Sequence, residues 1–519
     1  MTTYNVALND GVNYDAFWNE IETNGSGNTY VPNRAVDIVN ERPSSLRQCW
    51  YDLTDEEANK LRNDPRVYCV ELPPEHRDDI QIMPSVTQTG LYYKSPGTNP
   101  ANNLGINWGL FRLNSTTNNT PLASGTLSYN YPLDGTGVDF VVSDSGCQID
   151  HPEFTDANGV TRVQQINWYT ASGVTGTMPS FSTFYTDYDG HGTHCAGIAA
   201  GKTYGRAKNS RIYVMSVSGL TVSPTTGISV TDCFDTIKGW HNNKPIDPAT
   251  GVKRPTVVNM SWGYINTFSN IASVTYRGNT TVTTSKIAAY GMIGGSGNRF
   301  GIRVGSVDVD VAELLASGVV LCGAAGNYYQ TVDTPSGLDY NNYFTDTSGF
   351  IRYYMQGGSP GCTAGVICVG NVSTATDAPE QKSGSSESGP RVDIWAPGTN
   401  IVSTASSTNI YGATTLYPFN SSYKIMSISG TSMASPNVAG LCAQLLQIYP
   451  TATPAQIRQK VKDISQPNML YDTGNSTDYS NTLSLHGGPN NFAYQPYNTA
   501  DNVGITGAVG LTNVNISNT

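Results

Sequence analysis

Ser429-Gly430-Thr431-Ser432-Met433-Ala434-Ser435-Pro436 is followed by Val438, Leu441 and Leu445 at helical spacing, so the chain enters a helix within this octapeptide. Ser432 then stands in the first turn, where backbone N–H groups have no intrahelical acceptor and the helix dipole is positive. A serine in that place combines a nucleophilic hydroxyl with a backbone N–H that can stabilise an oxyanion. The ordinary work of its neighbours Ser429, Thr431 and Ser435 is capping and turn bonding.

Such a serine needs a base, and Asp187-Tyr188-Asp189-Gly190-His191-Gly192-Thr193-His194-Cys195-Ala196-Gly197 offers one. Gly190 and Gly192 let the backbone approach an imidazole closely at a helix start, and His191 is expected to act first as general base and then as general acid. His194 is the alternative base, or one half of a metal pair with His191. No third ligand stands at zinc spacing nearby in the sequence, which disfavours a metal. Cys195 reads as a small buried residue. Further upstream, Val138-Asp139-Phe140-Val141-Val142-Ser143-Asp144 is an apolar strand ending in a carboxylate. A strand-end Asp alone is usually a turn former; beside the other two blocks, Asp144 becomes the group that orients the histidine.

In the chain order Asp, His, Ser, these blocks resemble the subtilase family of serine proteases, in its proteinase K-like branch, rather than chymotrypsin-like enzymes or α/β-hydrolases. The resemblance extends to Ser145-Gly146, His151-Pro152-Glu153-Phe154 and Asn107-Trp108-Gly109-Leu110-Phe111-Arg112-Leu113. It implies a serine endopeptidase with Asp144, His191 and Ser432 as triad. It also implies Asn327, in Ala324-Ala325-Gly326-Asn327, as the second oxyanion donor. Asn259-Met260-Ser261-Trp262-Gly263 resembles the edge that pairs with an extended peptide, so Ser261, Trp262 and Gly263, with Ala324, Ala325 and Gly326, are the implied substrate contacts. Two residues depart from the pattern: Trp262, where relatives have a smaller apolar residue, and Asn437, where many have His. No cofactor is implied for catalysis. A structural calcium ion is implied at Asp393, in Val392-Asp393-Ile394-Trp395-Ala396-Pro397-Gly398, together with carbonyls near Ala364 and Val366.

Apolar runs at Val138 to Ser143, Arg211 to Val217, Thr256 to Trp262 and Val319 to Ala324 alternate with helical patterns. They predict an α/β fold with a mostly parallel sheet flanked by helices over residues 105–465. Segments 266–305 and 328–358 break the rhythm and read as surface insertions. Thr453-Pro454 opens a last helix. Ahead of this domain, residues 1–75 predict a small α+β domain, with strands at Ala35 to Val39 and Val67 to Leu72 and a helix capped at Thr54. Its stretch from Tyr51 through Asp64-Pro65-Arg66-Val67 to Glu71 resembles a subtilase propeptide, which implies a zymogen whose own N-terminal domain is an intramolecular inhibitor. Residues 76–104 read as a linker carrying the processing site. Residues 466–519 read as an Asn/Thr/Gly-rich extension in which Phe492-Ala493-Tyr494 is an isolated patch.

The chain has 519 residues, with 29 Lys and Arg against 40 Asp and Glu, a net charge of −11 without basic clusters, which disfavours nucleic-acid partners. No run of eighteen apolar residues suggests a membrane span, and the opening Met1-Thr2-Thr3-Tyr4-Asn5 lacks the basic and apolar regions of a secretion signal. Nine scattered cysteines read as mostly reduced, buried thiols. The expected partners are polypeptides. A protease module built into a larger assembly, such as a virus particle, is the competing reading, and the mass of the purified particle in solution separates the two. An esterase is disfavoured because these motifs belong to subtilases.

Overall fold

The computed structural model describes residues 1–9, 11–23, 29–41, 47–73, 86–94, 105–118, 120, 124–220, 226–248, 250–374, 379–475 and 477–496. The described residues form two compact units, one within 1–73 and the other within 86–496.

In the smaller unit, four antiparallel strands stand in the order Ile38–Glu41, Gln48–Leu53, Thr2–Leu8, Val67–Glu71. Two helices, Tyr14–Glu22 and Asp55–Arg62, bring Phe17, Ile21, Ala58 and Leu61 into one core with Val6, Leu8, Tyr51 and Leu53. The second helix starts as its sequence demands: Thr54 accepts from the Glu57 N–H at 3.2 Å and Glu57 accepts from the Thr54 N–H at 2.8 Å, a reciprocal capping box. The strand expected at Ala35 to Val39 begins later, at Ile38.

In the larger unit, nine strands among the described residues form one sheet. Their order is Gln466–Pro467, Asn491–Phe492, Ile394–Pro397, Ile367–Val372, Val320–Ala324, Thr256–Met260, Asp139–Asp144, Arg211–Ser216, Val163–Gln164. All neighbours are parallel except the outermost pair, Gln466–Pro467 with Asn491–Phe492. Every residue of Asp139–Asp144 is buried, as expected of a strand with helices over both faces. Helices His191–Ala200 and Thr431–Ile448 pack against each other. Asp144 and Ala324 close their strands at the carboxyl end of the sheet, where open α/β folds place their sites.

Three stretches take a form that the sequence pattern did not specify. Within 76–104, Val86–Tyr93 is a strand paired along its length with Ser124–Tyr131, and residues 74–85 and 95–104, where most of the expected processing region falls, lie outside the described residues. The two insertions fold against each other. Ile271–Tyr276 pairs with Tyr343–Asp346, and Phe268, Val274, Met292, Phe300, Phe344 and Tyr354 form a shared core. Finally, the sheet continues past Ser465. Trp395 pairs with Phe492, and Phe492 lies under the Arg112 guanidinium, 4.0 Å from its ring centre. Two-residue edge strands carry no periodicity, which is why this stretch reads as irregular tail.

Candidate active site

Asp144 leaves its strand fully buried and accepts from the Ser145 N–H at 2.7 Å through Oδ1. The same oxygen accepts from His191 Nδ1 at 2.8 Å. His191 opens its helix after Gly190, whose φ of 99° is open to glycine without strain. The imidazole is 19% exposed. Burial alone would lower its pKa, but the Asp144 carboxylate, and after it Cys195, raise it well above the ordinary value. The second histidine is excluded as base: His194 Nε2 faces the carbonyls of Ile401 and Met426 at 3.1 and 3.2 Å, and burial holds its pKa down at about 3.

Ser432 follows Gly430 and Thr431 at the start of the Thr431–Ile448 helix. Pro436 sits one turn later and has no N–H to give the Ser432 carbonyl. That carbonyl is satisfied instead by Ser261 Oγ at 2.8 Å and by Cys195 Sγ at 3.4 Å. Cys195 Sγ is also 3.8 Å from His191 Nδ1, so one buried thiol touches both the histidine ring and the serine backbone. The Ser432 hydroxyl donates to the Ser261 carbonyl at 3.1 Å. Asn437, at the position that departs from the pattern, is a buried strap: its amide donates to the Pro397 carbonyl at 3.0 Å.

Asn327 faces the same place. Its Oδ1 accepts from the Thr431 N–H at 2.9 Å and from Thr431 Oγ1 at 3.1 Å, which fixes the amide and leaves Nδ2 as its remaining donor. The cavity there, of about 250 Å³, is lined by Ser432, Asn327 and all six expected substrate contacts, Ser261, Trp262, Gly263, Ala324, Ala325 and Gly326. Trp262 is tethered by its indole N–H to the Ser143 carbonyl at 3.0 Å. Sequence reasoning missed Tyr264, Ile265, Gly301, Tyr328, Gly358 and Glu387 in this lining. All but Glu387 sit in or beside the insertion folds and carry no motif.

The fold also supplies what sequence spacing did not, a third group near His191. One ligand atom each from Asp144, His191 and Cys195 lie within 4.8 Å of one another. Two of those atoms already share a hydrogen bond, so the set works as an oriented imidazole.

The expected calcium ligand is a correction. Asp393 is bonded by Arg391 at 3.0 Å, Arg458 at 2.5 Å and Lys462 at 2.8 Å. Arg391 in turn donates to the carbonyls of Cys362, Thr363 and Val366 at 3.0, 2.7 and 2.8 Å. A guanidinium therefore fills the place between Asp393 and the loop carbonyls, and the residues do not fit a cation there. Burial would raise the Asp393 pKa, yet Arg391, Arg458 and Lys462 hold it at about 2.

The family model described as the subtilase family matches residues 135–484. The chain belongs to this family, and it is a subtilisin-like serine protease. An extracellular serine proteinase of Thermus sp. (strain Rt41A) is 28% identical over 444 residues, covering 85% of this chain and 76% of that protein. Proteinase R of Parengyodontium album is 29% identical over 378 residues, 72% of this chain and 70% of its own. The cuticle-degrading protease of Metarhizium anisopliae is 27% identical over 438 residues, 84% and 79% respectively. A solved cold-adapted subtilisin-like serine proteinase aligns with 75% of this chain and 97% of its own at 24% identity, with a TM-score of 0.46.

Proposed function

We propose that the chain hydrolyses peptide bonds through an acyl-enzyme on Ser432, with His191 as proton carrier, Asp144 as its orienting carboxylate and Asn327 as oxyanion donor. The Asp144–His191 bond of 2.8 Å, beside a helix-start serine, carries this reading. Ser432 Oγ turns from the Ser261 carbonyl and gives its proton to His191 Nε2 as it attacks the substrate carbonyl carbon. The oxygen that becomes negative is met by Asn327 Nδ2 and the Ser432 N–H. Collapse breaks the C–N bond, and His191 passes its proton to the leaving amine. Water, activated by the same imidazole, then frees the acid and restores Ser432.

The N-terminal unit is the intramolecular inhibitor of a zymogen in this reading, and the region between Pro73 and Trp108 is where the chain cuts itself. The resemblance of residues 51–71 to a propeptide supports this. Intact masses of wild type and Ser432→Ala after identical incubation, followed by casein digestion, test both statements. Cleavage in that region by wild type only, with casein turnover, is the expected result. Full-length chains in both samples with casein untouched would overturn it.

A further inference from the structure

The cavity beside Ser432 contains a group that peptide hydrolysis does not require. Glu387 lines it together with Gly326, Tyr328 and Gly358, is 1% exposed, and has no hydrogen-bond partner on either carboxylate oxygen. Its backbone N–H donates to the Gly326 carbonyl at 3.0 Å, which sets its side chain behind that glycine. A Cβ at position 326 would lie 2.4 Å from Glu387 Cδ, so only glycine leaves the carboxyl its room.

Buried carboxyls are ordinarily paired, because an unmet one is costly. The nearby cation, Lys382, bonds the Ser383 and Ser386 carbonyls at 3.3 and 3.0 Å and makes no ion pair with Glu387 among the described residues. Burial, with Cys362 adding to it, keeps the Glu387 pKa well above the carboxylate range despite the pull of Lys382. A guest cation would supply what Lys382 does not. The cavity's 250 Å³ exceeds the roughly 150 Å³ that admits a benzene ring, so a long side chain has room.

We infer that Glu387 sets the specificity of the cleft, selecting peptides with Arg or Lys on the acyl side of the bond to be cut. This rests on the protease reading above and names its substrate class. An arriving guanidinium or ammonium lets the buried carboxyl release its proton to solvent and pair with the cation, a bond that an uncharged side chain cannot make.

Two readouts test it on the protein in whichever form purification yields, full-length or self-cleaved. Benzamidinium, a cation that needs no turnover, should bind wild type and Ser432→Ala saturably in calorimetry and bind Glu387→Gln at least tenfold more weakly. In a peptide library, the ratio of kcat/KM for Arg over Leu at the acyl position should exceed ten in wild type and fall at least tenfold in Glu387→Gln. Glu387→Asp, which keeps the charge, should hold the ratio above that of the Gln variant and guards against a folding defect. Benzamidinium binding indifferent to Glu387→Gln, or a wild-type profile led by Leu, Phe or Gln, overturns the inference while leaving peptide hydrolysis intact. Benzamidinium binding that depends on Glu387 without any peptide cleavage upholds the cation site and sinks the protease reading instead.

Discussion

Asn327 is aimed by its own carbonyl oxygen: Thr431 holds Oδ1 from two donors, so Nδ2 is set in place before any substrate arrives. Replacing Asn327 by Ala should lower kcat about 100- to 1000-fold with KM little changed, as steady-state kinetics on a short peptide would show. On the proposed mechanism the neutral form of His191 is the base, and its pKa lies above the ordinary 6.5, so kcat/KM should fall as pH drops through a value higher than a free imidazole's. Asp144→Asn removes the main cause of that rise and should move this acid limb downward while cutting kcat, both visible in one pH–rate profile. These residues were legible in sequence because a strand-end Asp, a glycine-flanked His and a helix-start Ser each sit in a local motif. Glu387 was not, because Ser385-Ser386-Glu387-Ser388-Gly389 has the composition of any polar turn. Only the fold brings it behind Gly326.

Four of the parallel strands, Asp139–Asp144, Arg211–Ser216, Thr256–Met260 and Val320–Ala324, were read nearly to their ends, since strands covered on both faces are apolar throughout. Thr256–Met260 closes two residues earlier than expected, as the chain turns out to become the cavity wall. Arg391 shows the limit of a motif carried over by likeness. Asp393 matches the pattern, but Arg391 two positions before it changes what the carboxylate binds. A cation two residues from an acid in an extended stretch shares its face, and that was the available signal. Arg391→Ala would leave three carbonyls unmet and Asp393 with Arg458 and Lys462 alone, and urea unfolding should show a loss of about 1–3 kcal/mol. The sign of the pH effect follows from the depressed Asp393 pKa, about 2 in the fold against an ordinary 3.8. The stabilisation is present above pH 4 and is lost as pH falls toward 2, a difference of roughly 2 kcal/mol.

Across the whole larger unit, the sheet is finished by chain that follows the last long helix, Pro454–Asp463. Ending the protein at Ser465 should therefore abolish cooperative unfolding of this unit. Phe492→Ala, which removes the ring packed against the buried Arg112–Glu380 pair, should lower stability by about 3–5 kcal/mol, measured by chemical denaturation. The Arg391 knot has a further consequence at this scale. An ion held by loops obeys mass action, so its contribution to stability rises and falls with its concentration in the surroundings. A guanidinium built into the polypeptide is delivered by translation at one copy per molecule, and neither dilution nor a chelator can withdraw it.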